Sequence, residues 1–413
     1  MRKQLKAKIE PFQKQIVYVQ QAVLGVFLCF AVVILLIAND GTKKVRTDSA
    51  NPLVKLVTVG SLESDKTTYP TRPTTINAQL QHLILKTLSE DVQKTKAKRG
   101  TVIIMDINTG AIKAMTSIDS ANDNIAVKAW EPGSIMKPLM MAAALNEGAV
   151  TPDTVYFDPG HISINGRVIL NAINLPPQTV TMQDIITKSL NTGAVYLLKS
   201  LGDGSLNKQA RSKWYTYLTE YYRFGKSTGI DLPEESSGYV RPPTGGQDLD
   251  FRYAGSAFGV GLTVTPIQMV SAYSSLFNGG RYHQPYLAVF GEQDGLGAVT
   301  RPHTLTNKVI SSQVGHVIQN MMQAQLAQNN KTAYRSGYII GGKSGTAPVP
   351  EEGGSYGIGV DSGSYIGFIG VEKIQYIMLV RLDEPHTKGF ASSEAAKTWA
   401  RMSNAIIDHG LLR

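Results

Sequence analysis

The stretch EPGSIMKPLMMAAAL, residues 131–145, decides how this chain is read. Leu, Met and Ala are strong helix formers, so the run to Leu145 predicts a helix, and Gly148 can end it. A proline is tolerated only in a first helical turn, so Pro138 requires the helix to begin at about Ser134. The Ser134 N–H then lies among the donors that have no intrahelical acceptor, at the positive end of the helix dipole. Lys137 follows one turn later, on the same face. A serine hydroxyl is a weak nucleophile at neutral pH and needs an adjacent base. A lysine can be that base when burial or a second cation lowers its pKa. Lys343 is a candidate for the second cation.

Outward from this helix the texture is mixed. Residues 75–95 carry Leu80, Leu83, Leu85 and Leu88 at roughly helical spacing. The runs 101–106 (TVIIMD) and 111–117 (AIKAMTS) flank Asn108-Thr109-Gly110 and predict a β-hairpin. A second strand pair is predicted at 364–370 and 374–382. In 392–408, Ala395, Trp399, Met402 and Ile406 share one helical face. The middle, 134–280, has a mostly helical pattern with Gly and Pro breaks, and 350–364 is expected to be a mobile loop. Strands at both ends around a helical middle predict an α+β architecture, with a largely antiparallel sheet flanked by helices and a helical lobe.

Length and composition fit this reading. The chain has 413 residues, 42% of them apolar and 18% charged, so a large folded core is expected rather than disorder. Residues 22–38 are 17 apolar residues without a break, and Ile16, Val17 and Val19 extend the run toward the ~20 that span a bilayer. No polar face interrupts it, and it is too long for the core of a signal peptide. Arg2, Lys3, Lys6, Lys8 and Lys14 precede it against only Glu10. A transmembrane signal anchor is expected, with the N-terminus cytoplasmic and the catalytic domain extracytoplasmic, on the plasma (inner) membrane. The expected divisions are a basic tail (1–21), the anchor (22–38), a juxtamembrane stalk (39–72) and one globular domain (73–413). Without the tail, 36 basic and 31 acidic side chains remain, too even a balance to argue for nucleic acid. The single cysteine, Cys29, lies inside the apolar run, and the His residues are scattered singly. Disulfides and a Cys- or His-built metal site are therefore not expected.

Short motifs compete for the chemistry. Gly353-Gly354-Ser355-Tyr356-Gly357 fits a nucleophile elbow, but sits in a Gly-rich stretch without the required strand and helix. GYIIGGKS (337–344) fits a phosphate-binding loop, and IMLVRLDE (377–384) resembles the strand that would hold its magnesium. That loop requires a helix opening at Lys343-Ser344, and the Gly-Thr-Ala-Pro-Val-Pro that follows cannot start one. Ser-x-x-Lys occurs at Ser134 and again at Ser205, where a Gly-rich helix stop suggests an exposed turn. Ser-x-Asn begins at Ser49, Ser120, Ser163, Ser189 and Ser205, and Lys-Ser/Thr-Gly occurs once, at 343–345. Ser134-x-x-Lys137, one Ser-x-Asn and Lys343-Ser344-Gly345 together form the set that a serine–lysine acyl-transfer site uses.

Their flanks carry a resemblance. GTVIIMDINTGAIKAM (100–115), EPGSIMKP (131–138), SLNTGAV (189–195), FGKSTGIDLPEESSG (224–238), FGVGLTVTPIQMVSAYSSLFNGG (258–280) and GGKSGTA (341–347) occur in order. From about Thr75 onward the chain resembles the transpeptidase domain of class B penicillin-binding proteins, most of all the septal, division-type branch. The resemblance implies the penicillin-binding protein/serine β-lactamase-like fold and a peptidoglycan D,D-transpeptidase that cross-links stem peptides, needs no cofactor and is the target of β-lactams. It implies that Ser134 is acylated, Lys137 is its general base and Ser189 relays protons. Asn191 would hold the substrate backbone, and Lys343, Ser344 and Thr346 the terminal carboxylate of a D-alanyl-D-alanine stem. The backbone N–H groups of Ser134 and Thr346 would form the oxyanion hole, and Gly345 would let the stem lie against the strand edge. A glycan-polymerising membrane protein and the division machinery are the implied partners. Two features depart from the family: Ser344 replaces the usual Thr, and only about 35 residues stand where a pedestal domain is usual, too few for a domain. Carboxypeptidase- or β-lactamase-type hydrolysis and a catalytically idle division scaffold are the alternatives.

Overall fold

The two predicted strand pairs close into one sheet whose faces alternate residue by residue. A computed structural model describes residues 56–58, 74–121, 123–288, 304–306, 308–350 and 356–412. The basic tail, the apolar run and most of 39–72 lie outside the described residues. Among the described residues no helix is long and apolar enough to cross a membrane.

The chain runs β1 (Leu56–Thr58), α1 (Ala78–Thr95), β2 (Arg99–Asp106), β3 (Ile112–Asp119), a 3-10 turn (Gly133–Met136) and α2 (Lys137–Asn146). Four short strands follow, β4 (Val155–Asp158), β5 (His161–Ile164), β6 (Arg167–Leu170) and β7 (Gln178–Thr181). Then come α3 (Met182–Thr187), α4 (Asn191–Ser200), α5 (Lys208–Thr216), α6 (Leu249–Ser256), α7 (Pro266–Phe277), β8 (Tyr282–His283) and β9 (Thr304–Thr306). The C-terminal part is α8 (Ser312–Asn329), β10 (Ile339–Pro350), β11 (Tyr356–Gly370), β12 (Ile374–Asp383) and α9 (Ala391–Asp408).

The main sheet is antiparallel throughout, in the order β1-β3-β2-β12-β11-β10. Side chains in a strand alternate between faces. Val102, Ile104, Met378 and Val380 face a core completed by Leu80 and Leu88 of α1 and Trp399 of α9. Ile103, Met105, Ile377 and Leu379 face the other core, completed by α2 and α7. Trp399 is fully buried, its Nε1–H donates to Met378 O at 2.9 Å, and Gly367 makes room for its ring. Truncating it to Ala would remove about 3–5 kcal/mol of stability.

Local signals explain where helices start. The Asn77 side chain accepts from Gln79 and Leu80 N–H to open α1. Thr265 and Gln268 form a reciprocal capping box ahead of Pro266, which opens α7. The Ser134 segment starts as predicted but in two steps: a 3-10 turn holds Ser134, the α-helix begins at Lys137, and Pro138 sits in its first turn. The chain turns past Gly148, whose φ is +64°.

Three expectations need correction. Residues 356–364, expected as loop, are the first half of β11: Asp361–Ser364 continue the ladder to β10, and Tyr356 pairs with Pro350 beyond a register shift. The middle is not purely helical: β4 pairs with β7 and β5 with β6, each strand only four residues long. Leu56–Thr58, inside the stretch read as stalk, pair with Thr116–Ile118 as the far edge of the sheet.

Candidate active site

The site is built where the 3-10 turn meets β10. Gly133 has φ +60°, and a Cβ there would lie 2.4 Å from Thr346 O. A Cβ on Gly259 would lie 2.1 Å from Gly133 O, and Gly133 N–H donates to Gly259 O at 3.0 Å. Bare backbone at both positions therefore lets the Ser134 turn press against β10. The turn is clamped from behind: Trp130 and Val264 exchange both backbone hydrogen bonds, and Glu131 Oε1 accepts from Gly261 N–H at 2.9 Å.

The 3-10 turn carries Lys137 back over Ser134, with Nζ 2.8 Å from Ser134 Oγ. The same Nζ lies 2.6 Å from Ser189 O, 2.8 Å from Asn191 Oδ1 and 3.1 Å from Ser189 Oγ. Ser189 O and Asn191 Oδ1 can only accept. A neutral amine that gives its two protons to them points its lone pair at the Ser134 hydroxyl. Burial, helped by the charge of Lys343, lowers the Lys137 pKa well below its ordinary value. Lys343 is also fully buried, and burial brings it down to about 7. Its Nζ donates to Ser344 O at 2.8 Å and Ser189 Oγ at 3.0 Å. The Ser189 hydroxyl thus bridges the two lysines, held there by a left-handed backbone with φ +56°.

Asn191 opens α4, and its Nδ2 donates to Leu170 O at 2.8 Å, which orients its carbonyl toward Lys137. Next to it a buried network fastens the helix start to the lobe. Thr192 Oγ1 donates to Asp158 Oδ2 at 2.9 Å, and Asn171 Oδ1 accepts from Thr192 N–H at 3.1 Å. On β10 the alternation puts Lys343 and Gly345 inside and leaves Ser344 and Thr346 half-buried. Thr346 Oγ1 donates to Ser392 Oγ at 2.8 Å, at the start of α9.

Ser134, Ser189, Asn191, Lys343, Ser344 and Thr346 line one cleft of about 950 Å³ along β10, the terminal strand of its sheet among the described residues. Lys137 and Gly345 lie beneath it. The missing Cβ at Gly345 serves packing on the inner side: it would meet Pro132 O at 2.8 Å and Ile135 Cγ2 at 3.0 Å. Its absence brings β10 onto the nucleophile turn, whereas the sequence suggested room for a ligand. Gly133, Gly259, Asp158, Thr192 and Ser392 were not foreseen. Their roles depend on contacts between segments 34 to more than 100 residues apart, and no local pattern announces them.

The competing motifs do not form sites. Lys343-Ser344 lie in a strand, so they do not open the helix that a phosphate-binding loop requires. Tyr356 opens a strand, where an elbow needs a helix. Ser205 and Lys208 are exposed. Trp214, Tyr217 and Tyr222 are core, and Gln268 Nε2 donates to Lys226 O and Ser237 O as a packing residue. Among the described residues no group of three His, Cys, Asp or Glu side chains gathers as a metal site requires.

A serine whose hydroxyl faces a buried, carboxylate-free lysine beside an open sheet edge defines a serine–lysine acyl-transfer site. The penicillin binding protein transpeptidase domain matches residues 100–404, and the chain belongs to that family. It is 27% identical over 354 residues to a peptidoglycan D,D-transpeptidase FtsI homolog of Mesostigma viride, covering 75% of this chain and 56% of the relative. It is 27% identical over 333 residues to the stage V sporulation protein D of Bacillus subtilis, covering 75% and 49%. The chain thus spans about half the length of these relatives. Penicillin-binding protein 3 of Mycobacterium tuberculosis, solved in complex with aztreonam, superposes with a TM-score of 0.71 at 24% identity, covering 82% of this chain and 79% of that one. The transpeptidase domain of Burkholderia pseudomallei penicillin-binding protein 3 superposes at 0.70 with 22% identity, covering 84% and 99%. These structural likenesses establish the fold.

Proposed function

We propose that the chain is a serine-type D,D-transpeptidase that cross-links peptidoglycan stem peptides, with Ser134 as the acylated nucleophile. One observation carries the reading: the Lys137 amine stands 2.8 Å from Ser134 Oγ, buried, with acceptors on its other sides. Lys137 takes the Ser134 proton as Oγ attacks the penultimate D-alanyl carbonyl. Negative charge develops on the carbonyl oxygen, between the N–H groups of Ser134 and Thr346. The Thr346 geometry supports this. Its C=O faces Gly133, and a strand residue presents its N–H and C=O to the same side. Losing one such donor costs roughly 2.7–4 kcal/mol in another serine enzyme.

The proton passes from Lys137, through the Ser189 hydroxyl, to the leaving amine. Terminal D-alanine departs and leaves an ester on Ser134. Lys343, Ser344 and Thr346 hold the terminal carboxylate, and Asn191 the stem backbone. An amine on a second stem attacks the ester, forms the new amide and returns the proton to Ser134. β-Lactams acylate the same oxygen.

The apolar run at 22–38 and the basic tail before it support a single-pass anchor in the plasma membrane, with the domain from residue 73 outside. The names of the relatives support a peptidoglycan transpeptidase of the division type, and the resemblance to that branch is what implies a glycan-polymerising membrane partner.

Intact mass after incubation of the full chain with benzylpenicillin tests the reading. A stable adduct is expected on the wild type and none on Ser134→Ala. An adduct on both would move the nucleophile elsewhere. No adduct on either would leave a scaffold that has kept the motifs.

A further inference from the structure

We propose that a second cleft, on the far side of the start of α9, holds the peptide whose amine resolves the acyl-enzyme. The inference rests on the transpeptidase reading. The attacking amine must arrive where the departing D-alanine amine stood. That D-alanine is a single residue, ending in the carboxylate held at Ser344 and Thr346, so the donor needs nothing beyond this point. The acceptor differs: its amine has a whole peptide behind it, which needs a path past the carboxylate end.

The structure has such a path. Thr346 Oγ1 touches Ser392 Oγ, in the first turn of α9. One residue earlier Ala391 packs on Gly363, the ladder partner of Thr346. Ala391 and Gly389 line a separate cleft of about 630 Å³, within the size range of ligand sites at about 300–1,000 Å³. The two clefts meet at Asp361, opposite Pro348 in the ladder, which lines both. Asp361 is half-buried, and among the described residues its carboxylate has no hydrogen-bond or ion-pair partner. Lys96 and Lys98 line the same cleft and are exposed, Lys98 3.3 Å from Glu384. A polar cleft that presents both signs of charge suits a peptide bearing carboxylates and amines.

Gly389 provides the test. Its Cβ would enter open space, and its backbone has no positive φ, so a large side chain there fills the second cleft without strain. Full-length wild type, Gly389→Trp and Gly389→Ala are given a thioester donor, with either free D-alanine or a stem tripeptide ending in a diamino acid as acceptor. Benzylpenicillin acylation is measured alongside. Gly389→Trp is expected to lower transfer to the tripeptide at least tenfold while transfer to D-alanine and penicillin acylation stay within twofold, and Gly389→Ala is expected to behave as wild type. Equal transfer to both acceptors in Gly389→Trp, or an equal fall in both, overturns the proposal. A wild type that is acylated but transfers to neither acceptor also overturns it. No acylation at all instead overturns the transpeptidase reading beneath it.

Discussion

Two clusters of buried cations lie in this sheet and its surroundings, and they are treated in opposite ways. Arg381 is 4% exposed and bonds Asp383 through two nitrogens, both at 2.7 Å. Arg99 adds a second cation at 2.9 Å, Ser362 donates a hydroxyl at 2.8 Å, and the Trp130 ring lies 5.1 Å from the Arg381 guanidinium. Burial alone would push the Asp383 pKa up, but the charges of Arg381 and Arg99 hold it below the ordinary carboxylate range. Lys137 and Lys343 are as deeply buried, yet their partners are hydroxyls, carbonyls and an amide. Where only the fold is at stake, buried charge is neutralised. At the nucleophile it is left bare, which favours a neutral amine able to take a proton. This is the local form of a stability–activity trade-off.

The sharpest test of the contrast is Lys137→Met. Acylation is expected to fall about 10³-fold, as for loss of a general base, while the melting temperature holds or rises because the cost of keeping a buried amine uncharged is gone. A clear drop in melting temperature would break the comparison. Asp383→Asn should do the reverse. It strands Arg381 and Arg99 and is expected to cost roughly 3–5 kcal/mol in chemical denaturation, with penicillin acylation by the remaining folded protein unchanged.

The two clusters also differ in pH dependence. Lys343 has an ordinary pKa of 10.5 and a folded value of about 7. Below about pH 7 both folded and unfolded chains carry the proton, and the full cost of burying it is present. As pH rises from about 7 to 10.5 the folded chain has shed the proton and the unfolded chain has not, so stability rises. Denaturation midpoints for wild type and Lys343→Met should therefore converge as the pH increases from 7 to 10. The Asp383 contribution is present above its ordinary value and is lost only as pH falls through the lower, folded value. The smallest expected effect is that of Ser344→Thr, which keeps the hydroxyl. Acylation should stay within about twofold, and a large change would show that the bare side of the site is more tightly packed than its half-buried serine suggests.

The sequence reveals what obeys a local rule. Pro138 pins the start of a helix, so the Ser134–Lys137 turn is readable, as are the hairpin around Asn108-Thr109-Gly110 and the Trp399 face of α9. The short strands β4–β7 escape because four residues with a partly exposed pattern carry little periodicity. The second half of the site escapes for a different reason. The left-handed backbone of Ser189, the Gly133–Gly259 contact, the Asp158–Thr192 bond and the Ser392 hydroxyl on Thr346 exist only once distant segments meet. Gly345 illustrates the limit: the need for glycine is visible, but which side of the strand needs it is not.

The prolines of β10 have a consequence for ligand length. A proline has no N–H to offer a neighbouring strand, so the donors along the open edge end at Thr346, before Pro348 and the irregular register between Pro348 and Pro350. The run from Lys343 to Thr346 is four residues, or about 14 Å at ~3.4 Å per residue. The edge acts as a ruler. It can clamp the last two or three residues of an extended chain by main-chain bonds, and everything further along a polymer must be held by other surfaces or swing free. If the chain is the cross-linker proposed above, so short a grip suits a long, irregular network, because only the chain end need be in order.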